Sequence, residues 1–365
     1  VTGNVSDGGG SSTVNLNGGT MSVDGNLTVD TVNVGVTNSA GTLTLGGATN
    51  TVGSLKFLST NASATNTVNL ATGNTLTVNG SGSLVLGLSG YTGIVTNAVF
   101  TGGGDLIVNN ASGNMVVGVN NSNQNSTTNQ ATLDLYDLGS FTANVNELRV
   151  SYESRIQSTL TLSNVANTIT ANTVQVSNSN NNNASPGVIT LGEGTNEIYA
   201  NTINIGRGKG NGTVAFASTA DGPGTVIIAG KAGEADINLA AYPSSGTGAT
   251  LQGLLDLRGH QAQVTADAVL IGHRNDTGGG GANGNLYFDG GTFTANSVTV
   301  GSKPGSSGGT ATGNLYISDG DFTVNPGGTL LIAAGTGGRV AGNVYLSGGT
   351  LTTPAIAAGG GAAVF

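Results

Sequence analysis

The sequence predicts an all-β chain wound as a parallel β-solenoid of about 29 residues per coil, and three observations predict it. A half-apolar phrase returns at a fixed pitch. GNLYFDGGTFTANSVTVG begins at Gly284, GNLYISDGDFTVNPGGTLLIAAG at Gly313 and GNVYLSGGTLTTPAIAAGG at Gly342, so the three starts are evenly spaced. Within each phrase the apolar residues alternate with polar ones, which is the period of a strand with two unlike faces. No segment carries a 3.6-residue apolar period with caps, so no substantial helix is expected.

A unit of this length with two or three short strands cannot bury its apolar side alone. Stacked on copies of itself it can, and each strand then pairs in parallel with those above and below, about 4.8 Å away. The elements follow in chain order. Residues 1–130 share the alphabet of the repeat without its strict pitch, as in TVNLNGGTMSVDGNLTVDTVNVG and GTLTLGGATNTVGSLKF, and are expected to form irregular coils. Residues 131–365 are expected to form regular coils, continuous with the first part as one elongated domain. In the coil from Gly284, Leu286 and Phe288 alternate with Asn285 and Tyr287 in a first strand. Asp289, Gly290 and Gly291 supply a turn that tolerates positive φ. A second strand follows, TFTANSVTVG, whose apolar alternation slips by one residue between Ala295 and Val298. Gly301 then opens a Pro-, Gly- and Ser-rich loop. The second-strand signature recurs upstream as VTADAVLIG at 264–272, IYANTINIG at 198–206, ITANTVQVS at 169–177 and, lengthened, FTANVNELRVS at 141–151. The expected core of the last coils is Leu286, Phe288, Phe293, Val298, Val300, Leu315, Ile317, Phe322, Val344 and Leu346.

Composition narrows the class. Gly is 64 of 365 residues and charged residues are 8%, against about 25% in ordinary domains. A hydrophobic share of 37%, rich in β-branched residues, argues against disorder. A net charge of −9 with 10 Lys and Arg excludes nucleic acid as a partner, because phosphate neutralisation needs clustered cations. No run of 18 apolar residues predicts a membrane span. The chain starts at Val1 without a leader and reads as a processed or excerpted piece. The absence of cysteine, with a surface rich in Asn, Thr and Ser, favours a bacterial exterior.

The phrases GNLYFDGGTFTANSVTVG, GNVYLSGGTLTTPAIAAGGGAAVF and ATLDLYDLGSFTANVNELRV resemble those of the autotransporter-associated β-strand repeat proteins, large secreted proteins of Gram-negative and Planctomycetes–Verrucomicrobia-type bacteria. The resemblance covers residues from about 130 to 365 and the N-terminal third in style. It implies a right-handed parallel β-helix, extracellular or on the cell surface, often in long passengers or surface fibres. It implies no enzymatic residues, since the family's motif is structural.

Two sets of residues are candidates for more than packing. Asn144, Asn172, Asn201, Asp267 and Asn296 recur at one place in the second-strand signature. Asn tolerates the left-handed conformation and hydrogen-bonds its copies in a stack, so a structural Asn/Asp ladder is the expectation, with a ligand-binding row as its competitor. The densest polar cluster is Asp256, Arg258, His260, Asp267 and His273, with Arg274 and Asp276 beside them. It is a weak alternative site of the kind sugar-acting solenoids use, and turn or solvent-facing positions explain it more simply. Asp319 and Asp321 around Gly320 hint at calcium, though turn chemistry accounts for them too; no other cofactor is expected. The basic, Gly-rich RGKGNG stretch opens no helix and does not predict a phosphate loop. Asn26, Asn110, Asn125, Asn211 and Asn275 head Asn-x-Ser/Thr triplets of the number chance supplies in such a chain.

The function expected is that of an extracellular structural protein with no catalytic activity, stacking into surface fibres, filaments or a matrix. Its partner would be other copies of itself, head-to-tail through terminal coils in the repeat alphabet. A cell-surface adhesin or glycan-binding passenger domain is the alternative, for which the Asn/Ser loops at 120–130 and 177–185 are the candidates. A glycan- or ice-binding solenoid would need a flat row of Thr-x-Thr pairs, and such pairs read as falling at inconstant positions.

Overall fold

In a computed structural model, the chain is an all-β parallel solenoid. The structure describes residues 1–60, 63–87, 94–119, 129–152, 156–179, 186–242, 250–274, 280–305 and 308–365. Among these there is no helix. They form two compact units, Val1–Ala171 with Thr190–Thr195, and Asn172–Ile189 with Asn196–Phe365.

Each coil has three faces, and the coil that begins near Gly284 shows how the sequence makes them. The strand Ala282–Phe288 forms the first face and pairs in parallel with Ala311–Ile317, placing Gly284 on Gly313 and Leu286 on Leu315. The strand Gly291–Lys303 serves both other faces. Its first part pairs with Asp321–Val324, Phe293 beside Phe322, and its last part with Leu330–Leu346, Val300 beside Ile332. The slip in apolar alternation at Asn296 is therefore a corner, where the chain turns from the second face to the third. Inward residues alternate with outward ones on every face: Leu286, Phe288, Phe293, Ala295, Val298 and Val300 are all fully buried.

The expected core is buried at all but one of its positions. Leu346 is 46% exposed, because the final strand stops at Val364, paired with Asn343, and lays nothing over it. Aromatic rings fill the wide part of the core. Phe293 stacks on Phe322 at 4.5 Å, with Phe288 edge-on to both, and in the first unit Phe57 meets Phe100 edge-on at 6.0 Å. Each buried ring contributes about 1.5–3 kcal/mol of transfer free energy.

The even pitch belongs to the last coils. In the first unit Val5 pairs with Leu27 and Thr20 with Thr42, a shorter step than that from Gly284 to Gly313. Leu106 pairs with Phe141, and in the second unit Gly212 pairs with Gly253, both longer steps. The step from coil to coil therefore varies along the chain while the described strands stay in parallel pairing.

Where the third face ends, the chain turns sharply enough to need a left-handed residue, and it takes one in successive coils: Ala240, Gly272, Gly301 and Ala333, with φ between 50° and 72°. At Gly301 a Cβ would stand 2.1 Å from the Ala341 carbonyl oxygen, so glycine is required there. Ala333 adopts the same conformation at a strain of about 1 kcal/mol.

Candidate functional site

Of the residues that recur in the second-strand signature, Asp267 and Asn296 bond to each other at the corner between the second and third faces, and Asn144, Asn172 and Asn201 bond to residues outside the set. In the second unit Asn296 donates from Nδ2 to Asp267 Oδ1 at 2.9 Å, and Asn325 donates to Asn296 Oδ1 at 2.7 Å. Asn172 and Asn201 are bridged by a residue outside the signature. Lys231 donates from Nζ to Asn172 Oδ1 at 2.9 Å and from its backbone N–H to Asn201 Oδ1 at 3.3 Å. In the first unit Asn144 donates to Asn109 Oδ1 at 3.0 Å. These side chains are occupied with neighbouring coils, Asn144, Asn296 and Asn325 with a carboxamide or carboxylate and Asn172 and Asn201 with Lys231.

A second set of asparagines, absent from the sequence-based expectation, points inward. Asn50 is 1% exposed and holds three backbone groups of its own and neighbouring coils: Leu27 N–H at 3.0 Å, Gly47 O at 2.8 Å and Thr75 O at 3.2 Å. Asn66 and Asn196 are fully buried and donate to Asn97 O and Thr225 O, respectively. A signal was present, since each occupies an inward position of the alternation, where a polar residue needs buried partners.

The polar cluster of residues 256–273 does not assemble. Asp256, Arg258 and His260 lie at the corner between first and second faces, Asp267 at the next corner and His273 at the third. Residues of the stretch are spread around one coil, so Asp256, Arg258 and His260 meet one another at the first corner while Asp267 and His273 stand apart from them. Arg274 follows His273 and is fully buried, donating to Gly280 O, and Asp276 lies outside the described residues.

At the first corner Arg258 is clamped to Asp256, Nε to Oδ1 at 2.8 Å and NH2 to Oδ2 at 2.5 Å, which raises the guanidinium's pKa further. His260 is 3% exposed, lies flat on Phe216 at 3.7 Å and engages the Arg258 carbonyl through Nδ1 at 3.0 Å. Asp289, one coil on, accepts the Gly259 N–H at 2.8 Å. Burial raises its carboxyl above the usual range, and Asp221 and Asp256 add to the rise against the opposing Gly259 N–H and Arg258. Asp221, Gly259, His260, Asp289 and Asp319 line a hollow of about 240 Å³. Asp319 accepts the Gly320 N–H at 2.7 Å in its own turn, and Asp321 stands beside Thr292 on the outward side of the second face. Among the described residues no three carboxylates or imidazoles come together as a metal cage. Asp256, Arg258, His260, Asp289 and Asp319 are each engaged in a turn, an ion pair or a ring stack, an arrangement suited to holding a corner.

His273 is packed edge-on against Tyr242 at 5.0 Å, its buried Nδ1 lacks a hydrogen-bond partner, and burial lowers its pKa. Of the Asn-x-Ser/Thr triplets, Asn26, Asn110 and Asn211 use their amides on Thr49 N–H, Gly80 O and Gln252 N–H, while Asn125 and Asn275 lie outside the described residues. Residues 120–128 and 180–185, most of both candidate adhesive loops, lie outside them as well.

Two columns stand on the outer side of the coils. Thr265, Thr294, Thr323 and Thr352 fall at one register position in four consecutive coils of the second face, a single column, while Thr-x-Thr pairs do not recur in successive coils, in line with the sequence reading. The column beside it is broken, since Gln263 and Asp321 alternate with Thr292 and Thr350. On the first face Tyr287, Tyr316 and Tyr345 stack at 4.4 and 4.7 Å, next to a ladder in which Asn343 donates to Asn314 at 2.8 Å and Asn314 to Asn285 at 2.9 Å. Arg258 covers the other side of Tyr287, 4.2 Å above the ring.

Comparison of the chain with protein-family models, with curated proteins and with solved structures finds no match. The class the fold defines is that of the parallel β-solenoids, and no helix of the described residues is long and apolar enough to cross a membrane.

Proposed function

We propose that this chain is a non-catalytic extracellular structural protein, a β-solenoid that stacks into surface fibres, filaments or a matrix. The observation that carries this reading is where its polar side chains are used. Asparagines bond to the same residue of the next coil, as along Asn285, Asn314 and Asn343, and the main carboxylates of the first corner hold turns or ion pairs. Such columns favour coil-on-coil stacking and leave little chemistry over for a substrate. The sparse charge and the many Asn, Thr and Ser residues suit an outer surface exposed to water.

The stacking partner proposed is a second copy, coil on coil. A coil here offers both strand edges to stacking, as Ala311–Ile317 does by pairing in parallel with Ala282–Phe288 on one side and Leu330–Leu346 on the other. A strand edge that meets no strand of its own chain is a template for a coil of another copy. A heterologous contact of this kind does not close and generates a filament. An adhesive or glycan-binding role is the second reading, favoured by the in-register threonine column on the second face.

Electron microscopy of the purified chain over rising concentration tests the first reading. Unbranched filaments one solenoid wide are expected. Dispersed particles at every concentration would sink it, and retention of such particles on immobilised polysaccharide would favour the second.

A further inference from the structure

The tyrosine column on the first face has a geometry that packing alone does not demand. Tyr287, Tyr316 and Tyr345 occupy one register position in three consecutive coils, with interplanar angles of 3° and 10° at 4.4 and 4.7 Å. The neighbouring Asn285–Asn314–Asn343 ladder pins the same strands two residues away, so the rings cannot slide out of register without breaking it. The rings are partly open to solvent, Tyr345 at 42%. Among the described residues Tyr136, Tyr199 and Tyr242 stack on no other tyrosine.

We propose that Tyr287, Tyr316 and Tyr345 are an oxidative cross-linking site, at which a peroxide-driven one-electron oxidant joins neighbouring coils through a carbon–carbon bond between tyrosine rings. Each of two phenols gives up one electron and its hydroxyl proton and becomes a phenoxyl radical. The two electrons and two protons reduce peroxide at the oxidant. The radicals pair through the ring carbons ortho to oxygen, forming one carbon–carbon bond, and the hydrogens on those carbons move to the two oxygens as the rings regain aromaticity. The product is a dityrosine lighter than its parents by two hydrogen atoms.

Free tyrosyl radicals must diffuse together; here the partner ring is already in contact, which replaces an encounter with a local rearrangement. Arg258 sets the direction. Its cation over Tyr287 opposes the positive charge that builds as an electron leaves that ring, so oxidation favours Tyr316 and Tyr345. A bond between them closes one whole coil of chain and restricts the unfolded state as a disulfide does. The site stands on ring geometry and is independent of whether the chain forms filaments.

The test is to treat the dilute, intact protein with a peroxidase and hydrogen peroxide, then map the products by protease digestion and mass spectrometry. A monomeric product lighter by two hydrogens, with dityrosine fluorescence and a bond between Tyr316 and Tyr345 or Tyr287 and Tyr316, is expected, together with a raised melting temperature. Tyr316→Phe should abolish the internal cross-link, because the remaining pair is two coils or about 9.6 Å apart. Tyr345→Phe should leave only the Tyr287–Tyr316 product. Circular dichroism of both variants checks that the coils are intact. Cross-links that form only between molecules, that involve Tyr136, Tyr152, Tyr199 or Tyr242 first, or that survive Tyr316→Phe would overturn the proposal, as would oxidation that leaves folded protein with no cross-link.

Discussion

His273 shows what a corner does to one side chain. The alternation that placed Val269 and Ile271 inside runs out at this residue, and the imidazole is left against Tyr242 with a buried nitrogen unpaired. Burial holds its pKa below the usual value near 6.5, so the unfolded chain binds a proton more readily than the fold does. The stability it confers is complete above pH 6.5 and is lost as the pH falls below that value. Asp289 acts in the opposite sense: its raised pKa adds stability as the pH falls through it. Urea melts at pH 7.5 and pH 5 should therefore show a smaller loss on acidification for His273→Gln than for the parent chain; equal losses would mean that the imidazole is solvated in the fold. Inward and outward positions were legible residue by residue, because a strand's period of two is written directly in the sequence. The left-handed corner residues were legible only where they are glycine. Ala240 and Ala333 carry the same backbone with no mark in their chemistry, since the surrounding coils, and not their own preference, impose it.

At the scale of the element, the unit of stabilisation is the column. Asn314 donates to Asn285 and accepts from Asn343, with a longer contact to Asn283 at 3.4 Å, so replacing it breaks two short bonds and one long one, whereas replacing Asn325 breaks the one bond it donates to Asn296. At about 1 kcal/mol net per hydrogen bond, Asn314→Ala should cost about 2 kcal/mol and Asn325→Ala about 1, read from urea midpoints at constant m-value. A double-mutant cycle between Asn314 and Asn343 should show coupling, and additivity there would mean that the amides face water instead of each other. The recurrence of Asn144, Asn172, Asn201, Asp267 and Asn296 marked the corner, and within that set the Asn296–Asp267 bond is formed, while Lys231, which meets Asn172 and Asn201, carried no such mark. The first-corner hollow was not, because it joins Asp221, Gly259, Asp289 and Asp319 from separate coils, whereas the polar cluster read from the sequence joined neighbours along one coil. In a solenoid, contact follows the pitch. A stretch such as 256–273 passes all three corners before it returns to its starting face, so its density of charge says nothing about a site.

At the scale of the whole molecule, the same geometry limits how far a disturbance travels. Pairing joins each strand to its counterparts one coil before and one coil after, and the core is a column of layers such as Val264, Phe293 and Phe322. Stability in such an array is close to a sum of coil and nearest-neighbour terms. Phe322→Ala removes a ring that stacks on Phe293 and meets Phe288 edge-on, and should cost about 3–5 kcal/mol locally. In a protein with one cooperative core that loss would appear at every slowly exchanging amide. Here, hydrogen exchange should accelerate in the coils from about residue 290 to 352 while amides of the strands Gly41–Leu45 and Thr49–Ser59 in the first unit keep their protection. The converse variant, Leu43→Ala, empties a buried position of the first unit and should leave the amides of Ala311–Ile317 unchanged. Uniform acceleration in both variants would mean that the chain unfolds as one cooperative body. That outcome would require coupling beyond adjacent coils, which the parallel register does not supply.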